Sequence, residues 1–161
     1  MKEELDKAVD YALRALSRRD HSVAELERKL CNRDVPEEVR AAVVARLTKA
    51  GYLDDRRFAE QWAESAVRNG RGYGRRLSLE LARRGIAREI VDDVVASVSA
   101  SYDEAQTLEA LVARKFSSLD LQHASDRDTR RVVAYLQRRG FSLALIFRYF
   151  RARNAGDGAA E

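Results

Sequence analysis

Gly51-Tyr52-Leu53-Asp54-Asp55-Arg56-Arg57-Phe58, continued by Arg71-Gly72-Tyr73-Gly74 and closed by Arg84-Gly85-Ile86, is the stretch that decides the fold. Gly51 supplies the positive φ at which a helix most cheaply stops. Asp54 then stands where an N-cap carboxylate takes free amide protons and favours the positive end of the helix dipole. Leu53 at N′ and Phe58 at N4 have the spacing of a hydrophobic staple, which sets how the chain enters the helix. Gly70, Gly72 and Gly74 leave a short connection before Leu77 and Leu81 begin a second stripe, stopped at Gly85. The stretch reads as one helix, a tight turn, a second helix and the start of a third.

Outward from it the same pattern recurs. Towards the N-terminus, Leu5, Val9, Ala12, Leu13 and Leu16 form one amphipathic stripe that stops near Arg18-Arg19-Asp20. Ser22-Val23-Ala24-Glu25 has capping-box spacing and leads into Leu26 and Leu30. Pro36 fits a first helical turn, Glu37 and Glu38 suit the dipole there, and Val39, Val43 and Leu47 follow. Towards the C-terminus, Ile90, Val91, Val94, Val95 and Val98 complete the middle unit. Ser101-Tyr102-Asp103-Glu104 opens a third with a box-like cap. Its stripes are Leu108, Leu111, Val112 and Phe116, then Val132, Val133 and Leu136, then Leu143, Ile146, Phe147 and Phe150. Residues 117–125 are a polar connection, and 154–161 read as a disordered tail.

The joint between second and third helices repeats as Asn32-Arg33-Asp34-Val35, Arg83-Arg84-Gly85-Ile86 and Arg138-Arg139-Gly140-Phe141. Val35, Ile86 and Phe141 are 51 and 55 positions apart, a repeat-protein period. In the last copy Ser142 is a cap and Phe141 with Ile146 a staple. The first copy lacks the glycine, and its joint is expected to kink differently. Helices this short must bury their stripes on neighbours. The expected fold is all-α: three tandem three-helix repeats over 1–50, 51–100 and 101–153 in an elongated, curved array. The alternative is a plain nine-helix globule.

Composition agrees with helix throughout. Charged residues make up 35% of the 161, above the roughly 25% of an average domain, and there is one proline. No run of about 18 apolar residues occurs, no signal peptide is evident, and the single Cys31 suits a reducing cytoplasm. The net charge of +4 hides alternation: residues 68–90 carry +5, residues 91–126 carry −5 and residues 127–153 carry +7. Such blocks fit a polyanionic or acidic partner, or neutralise one another within the fold.

Catalytic and metal constellations are scarce, and neither catalytic residues, metal ligands nor a cofactor are expected. His21 and His123 lack an i, i+4 partner for a metal, and His21 reads as a surface turn residue. Cys31 reads as a partly buried structural thiol, and Asp54-Asp55 as helix capping. Gly70-Arg71-Gly72-Tyr73-Gly74 lacks the Gly-Lys-Ser/Thr of a phosphate loop. Arg75 and Arg76 fall in a first helical turn, where positive charge opposes the dipole by a few tenths of a kcal/mol each; a bound phosphate or carboxylate would reverse the sign. The turn is an anion-contact point or a solvated basic turn. Arg84 and Arg139 precede helix stops, where positive charge is favourable. The tyrosines and phenylalanines nearby are mostly at core spacing and are not read as base-stacking platforms.

These residues carry a family resemblance. Gly51 to Ala59, Gly72-Tyr73-Gly74, Leu77, Glu80-Leu81 and Gly85-Ile86 are similar to the central motif of the RecX family. Asp20-His21-Ser22 with Glu25-Leu26 and Lys29-Leu30 resembles its N-terminal motif, and Tyr135 to Phe141 with Ile146 its C-terminal one. The resemblance covers roughly residues 8–150 in the right order. It implies three tandem three-helix repeats in a cytoplasmic, non-catalytic modulator, mostly an inhibitor, of the RecA recombinase in recombination, repair and the SOS response. Members bind in the groove of the RecA–DNA filament and limit its growth, ATPase and co-protease activity. With a monomer lying in that groove, Arg71, Arg75, Arg76, Arg83 and Arg84 would serve one contact zone and Arg138, Arg139, Arg148 and Arg151 another. The contacts would be acidic RecA surfaces or the phosphates of single- or double-stranded DNA. A basic module acting on DNA without RecA is the alternative function, and an adaptor for another acidic protein a third.

Overall fold

The computed structural model describes residues 2–155. The described residues form nine α-helices and no strand: α1 (Lys2–Leu16), α2 (Val23–Cys31), α3 (Glu37–Lys49), α4 (Asp55–Arg68), α5 (Arg75–Arg83), α6 (Arg88–Ser101), α7 (Glu104–Lys115), α8 (Asp126–Arg138) and α9 (Leu143–Ala155). Of the expected tail, Asn154 and Ala155 belong to α9, and 156–161 lie outside the described residues. The chain divides into two compact units. The first takes the residues up to Trp62 with Glu80–Val94; the second takes Ala63–Leu79 with the residues from Val95 on. The middle helices α4, α5 and α6 each contribute to both.

In the first unit, Ala8, Val9 and Ala12 of α1 pack with Leu26 and Leu30 of α2 and Val39, Val43 and Leu47 of α3, and Leu53 joins them. Small residues on α1 let the helices approach closely, and each fully buried leucine contributes about 1.5–3 kcal/mol. The second unit buries Leu108, Leu111 and Val112 of α7, Val132 and Leu136 of α8, and Leu145 and Ile146 of α9. The α9 stripe therefore differs from the expected one: Leu143 and Phe147 face solvent and Leu145 is inside. The caps are local and mostly as read. Asp54 Oδ1 accepts from the Arg57 amide at 2.9 Å, and Leu53 and Phe58 are both buried. At the third unit the cap is Asp103, which accepts from the Gln106 amide, whereas Ser101 is the last residue of α6. Pro36 precedes α3 as its N-cap rather than sitting in its first turn.

The three joints share one geometry. Residues 34, 85 and 140 all adopt positive φ, at 57°, 77° and 98°. In each, the next amide reaches back to a carbonyl five residues earlier at 3.2 Å: Val35 to Leu30, Ile86 to Leu81 and Phe141 to Leu136. This is the Schellman closure. The expected different kink at the first joint is not present, because Asp34 takes the left-handed conformation that glycine takes in the others.

What separates the joints is their neighbours. A Cβ on Gly85 would overlap the Cβ of Ala24, at the start of α2. A Cβ on Gly140 would overlap the Tyr73 carbonyl oxygen and crowd the backbone of Arg76, at the start of α5. Each glycine joint thus lies against the beginning of the second helix of the preceding repeat. Gly140→Ala is expected to cost roughly 2–5 kcal/mol, from the left-handed φ plus a backbone clash, whereas Asp34→Gly should stabilise by up to about 1 kcal/mol. Urea midpoints of the two variants against the parent chain check both signs.

Candidate partner-binding surface

The arginines singled out from sequence separate into three environments. Arg71 is exposed in the α4–α5 turn, its guanidinium donating to Ser65 Oγ at 2.8 Å and its carbonyl accepting from Arg139 Nη1 at 3.2 Å. Arg75 and Arg76 occupy the first turn of α5, which holds no acidic residue. Arg138 and Arg139 end α8, and together with Arg76 and Tyr135 they line an open depression of about 390 Å³. The close approach of Gly140 to Tyr73 and Arg76 is what brings the two ends together. One basic surface of the second unit therefore combines Arg71 and Arg76 with Arg138 and Arg139, residues that sequence order had assigned to two zones, and Arg75 is exposed next to Arg76 in the same helical turn. It includes two residues that sequence reasoning missed. Tyr135 lies under the Arg139 guanidinium at 5.0 Å, and the Lys115 ammonium approaches the same ring at 5.9 Å. The i, i+4 spacing of Tyr135 and Arg139 signals the first contact; nothing local signals the second.

Arg148 and Arg151 are exposed on α9, Arg148 beside a separate depression lined by Leu108, Glu109 and Tyr149. Arg83 is exposed and lies 3.3 Å from Glu80. Arg84 is turned into the first unit. Its Nη1 donates to Glu25 Oε1 at 2.8 Å, and its guanidinium covers the Trp62 ring at 4.8 Å. Glu25 Oε2 accepts from Arg19 Nη1 at 2.9 Å and lies 3.2 Å from His21 Nδ1.

His21 is buried, not a surface turn residue as its sequence context suggested; its ring lies against Glu25, which Arg19 and Arg84 hold in place. Ser22 Oγ caps α2 by accepting from the Glu25 amide and also donates to the Arg84 carbonyl at 2.6 Å. The Val23 amide donates to Asp55 at 2.8 Å, so of the Asp54-Asp55 pair one carboxylate caps its own helix and the other caps α2. Burial holds the His21 ring below its ordinary value of 6.5. Burial acts to raise Glu25, but its hydrogen bonds from Arg19, Arg84 and His21 outweigh that and keep it below its ordinary 4.5. Cys31 is exposed at the end of α2 rather than partly buried.

Three family models match the chain in tandem: RecX, first three-helix domain, over residues 8–47; RecX, second three-helix domain, over 54–95; and RecX, third three-helix domain, over 102–150. The chain is 40% identical over 139 residues to the regulatory protein RecX of Trichlorobacter lovleyi, covering 86% of this chain and 90% of that one. It is 35% identical over 157 residues to the regulatory protein RecX of Mycolicibacterium vanbaalenii, covering 94% and 85%. The crystal structure of RecX from Lactobacillus salivarius shares the fold, with a TM-score of 0.73 at 20% identity over 96% of this chain and 99% of that one. No helix among the described residues is long and apolar enough to cross a membrane.

The buried cluster sets a pH dependence of stability. The unfolded chain takes up a proton at His21 below 6.5 that the folded chain refuses, so stability falls as the pH drops through that value. Glu25 adds a further loss below 4.5. Urea midpoints followed from about pH 7 to about pH 5 should decline in the parent chain and decline less in His21→Asn.

Proposed function

This chain belongs to the RecX family, and from that membership we propose that it regulates the RecA recombinase by binding RecA and the RecA–DNA filament. The reading is of a non-catalytic monomer in the cytoplasm that lies in the filament groove. There it limits filament growth, and with it ATP hydrolysis, strand exchange and co-protease activity. The observation that carries the contact assignment is the convergence of Arg71, Arg76, Arg138 and Arg139 on one surface of the second unit, with Arg75 exposed in the same helical turn as Arg76. Cations from two helix ends and a turn, gathered on a concave surface, focus a positive field that an acidic protein surface neutralises. The partner's carboxylates would also relieve the unfavourable placement of Arg75 and Arg76 at a helix N-terminus. Arg83, Arg148 and Arg151, exposed elsewhere, supply further contacts. A ligand with several modest contacts along a filament gains from effective concentration without one strong anchor. Arg84 is engaged with Glu25 and Trp62 in the first unit.

The test is RecA-driven ATP hydrolysis on single-stranded DNA, titrated with this protein at two DNA concentrations. Inhibition well below equimolar protein, unrelieved by extra DNA, is expected; no effect at equimolar protein would overturn the assignment. In the same assay, reversing the exposed Arg75 and Arg138 to Glu should weaken inhibition by about tenfold or more, most at low salt, with helical content unchanged. Parent-like inhibition by that variant would remove this surface from the contact.

A further inference from the structure

The first unit has a second concave basic surface, made of residues that the filament reading does not use. Arg14 of α1, Arg18 and Arg19 after it, and Lys29 and Arg33 at the end of α2 line one cleft of about 480 Å³ together with Tyr11. No acidic side chain lines it. Helix C-termini favour positive charge, which accounts for each residue separately. It does not account for five cations from two helices facing one hollow, where each raises the cost of the others.

Their internal partners leave most of that charge uncompensated. Arg14 Nε donates to the Asp10 carbonyl, not to a carboxylate. Arg33 lies over the Tyr11 ring at 4.2 Å. Only Arg19 is tied to a carboxylate, that of Glu25, which Arg84 already neutralises. Arg18 and Lys29 have no hydrogen-bond or ion-pair partner among the described residues. The Arg18 and Lys29 side chains are thus presented at the cleft without a hydrogen bond or ion pair to hold them, and Arg14 and Arg33 keep their full charge there.

We propose that this cleft binds the phosphate groups of a nucleic-acid backbone. Guanidinium forks match phosphate oxygens bidentately, and four of the five cations are arginines. An acidic protein segment is the weaker fit. Peptides anchor through apolar side chains seated in pockets, and here the one aromatic ring is already covered by Arg33. Backbone binding of nucleic acid needs no such anchor, since counterion release supplies the free energy.

The experiment needs no RecA: fluorescence anisotropy of a fluorescein-labelled mixed-sequence duplex, titrated with the full chain over a series of salt concentrations. Arg18→Gln with Lys29→Gln removes the two unpartnered cations without touching a fold contact. Affinity should drop tenfold or more at low salt, and the slope of log K against log salt should shrink by about 1.8, two phosphate contacts' worth. The charge-matched control Lys49→Gln with Arg127→Gln, two exposed cations outside both basic surfaces, should stay within threefold of the parent. Unchanged affinity and slope in the Arg18/Lys29 variant would overturn the proposal, as would an equal loss in the Lys49/Arg127 variant. Displacement of the duplex by poly-glutamate at equal charge would assign the cleft to an acidic protein instead. Saturation by inorganic pyrophosphate that the duplex does not compete would assign it to a small phosphate.

Discussion

The carbonyl oxygen of Tyr73 occupies the space where a side chain on residue 140 would begin, and the methyl group of Ala24 does the same at residue 85. Those two close approaches position everything else of interest. The first brings the start of α5 against the end of α8 and so gathers the basic surface of the second unit. The second presses the α5–α6 joint onto the start of α2 and so sets Arg84 on Glu25, against which His21 lies. In both, glycine relaxes a left-handed φ and is required because there is no room for a Cβ.

The two contacts are built from one plan but different chemistry. Against Gly140, the Tyr73 amide donates to the Arg139 carbonyl at 2.8 Å, the Tyr73 ring stacks on Phe141 at 5.6 Å, and its hydroxyl reaches the Tyr102 carbonyl. That contact is aromatic and insensitive to pH in the physiological range; burial moves the Tyr73 hydroxyl further up from its ordinary value. Against Gly85, the corresponding carbonyl of Arg84 accepts from a hydroxyl, and the space is filled by Glu25, His21 and two guanidinium groups. Buried ion pairs add little net stability but penalise any arrangement that separates them, so this contact specifies a geometry more than it strengthens one. It also removes Arg84 from the pool of surface cations, which a count of basic pairs includes.

Caps, staples and helix stops were legible because each is decided within four or five residues. Asp54 with Phe58, Ser22, Ser142 and the glycine joints follow from local hydrogen bonding and φ alone. The placements that went unread depend on distant contacts. His21 is buried beside Glu25, whose carboxylate is held by Arg84, 59 positions away in the chain. In α9, Leu143 and Leu145 fit a helical stripe about equally well, and only the packing of the neighbouring helices chooses Leu145. Likewise the union of Arg71 and Arg76 with Arg138 and Arg139 crosses more than sixty residues, so charge runs located the two halves but not their meeting.

Asp34 shows what the joint asks for when nothing is laid against it. An aspartate meets the φ requirement at modest cost, and its side chain is exposed. The turn itself therefore tolerates a side chain; only the neighbour forbids one. It follows that the stacking has a direction written into single positions. A three-helix unit added ahead of α1 by the same contact would strike the Asp34 carboxylate with the start of its second helix. The glycines at 85 and 140 are thus set by their neighbours and not by the turn.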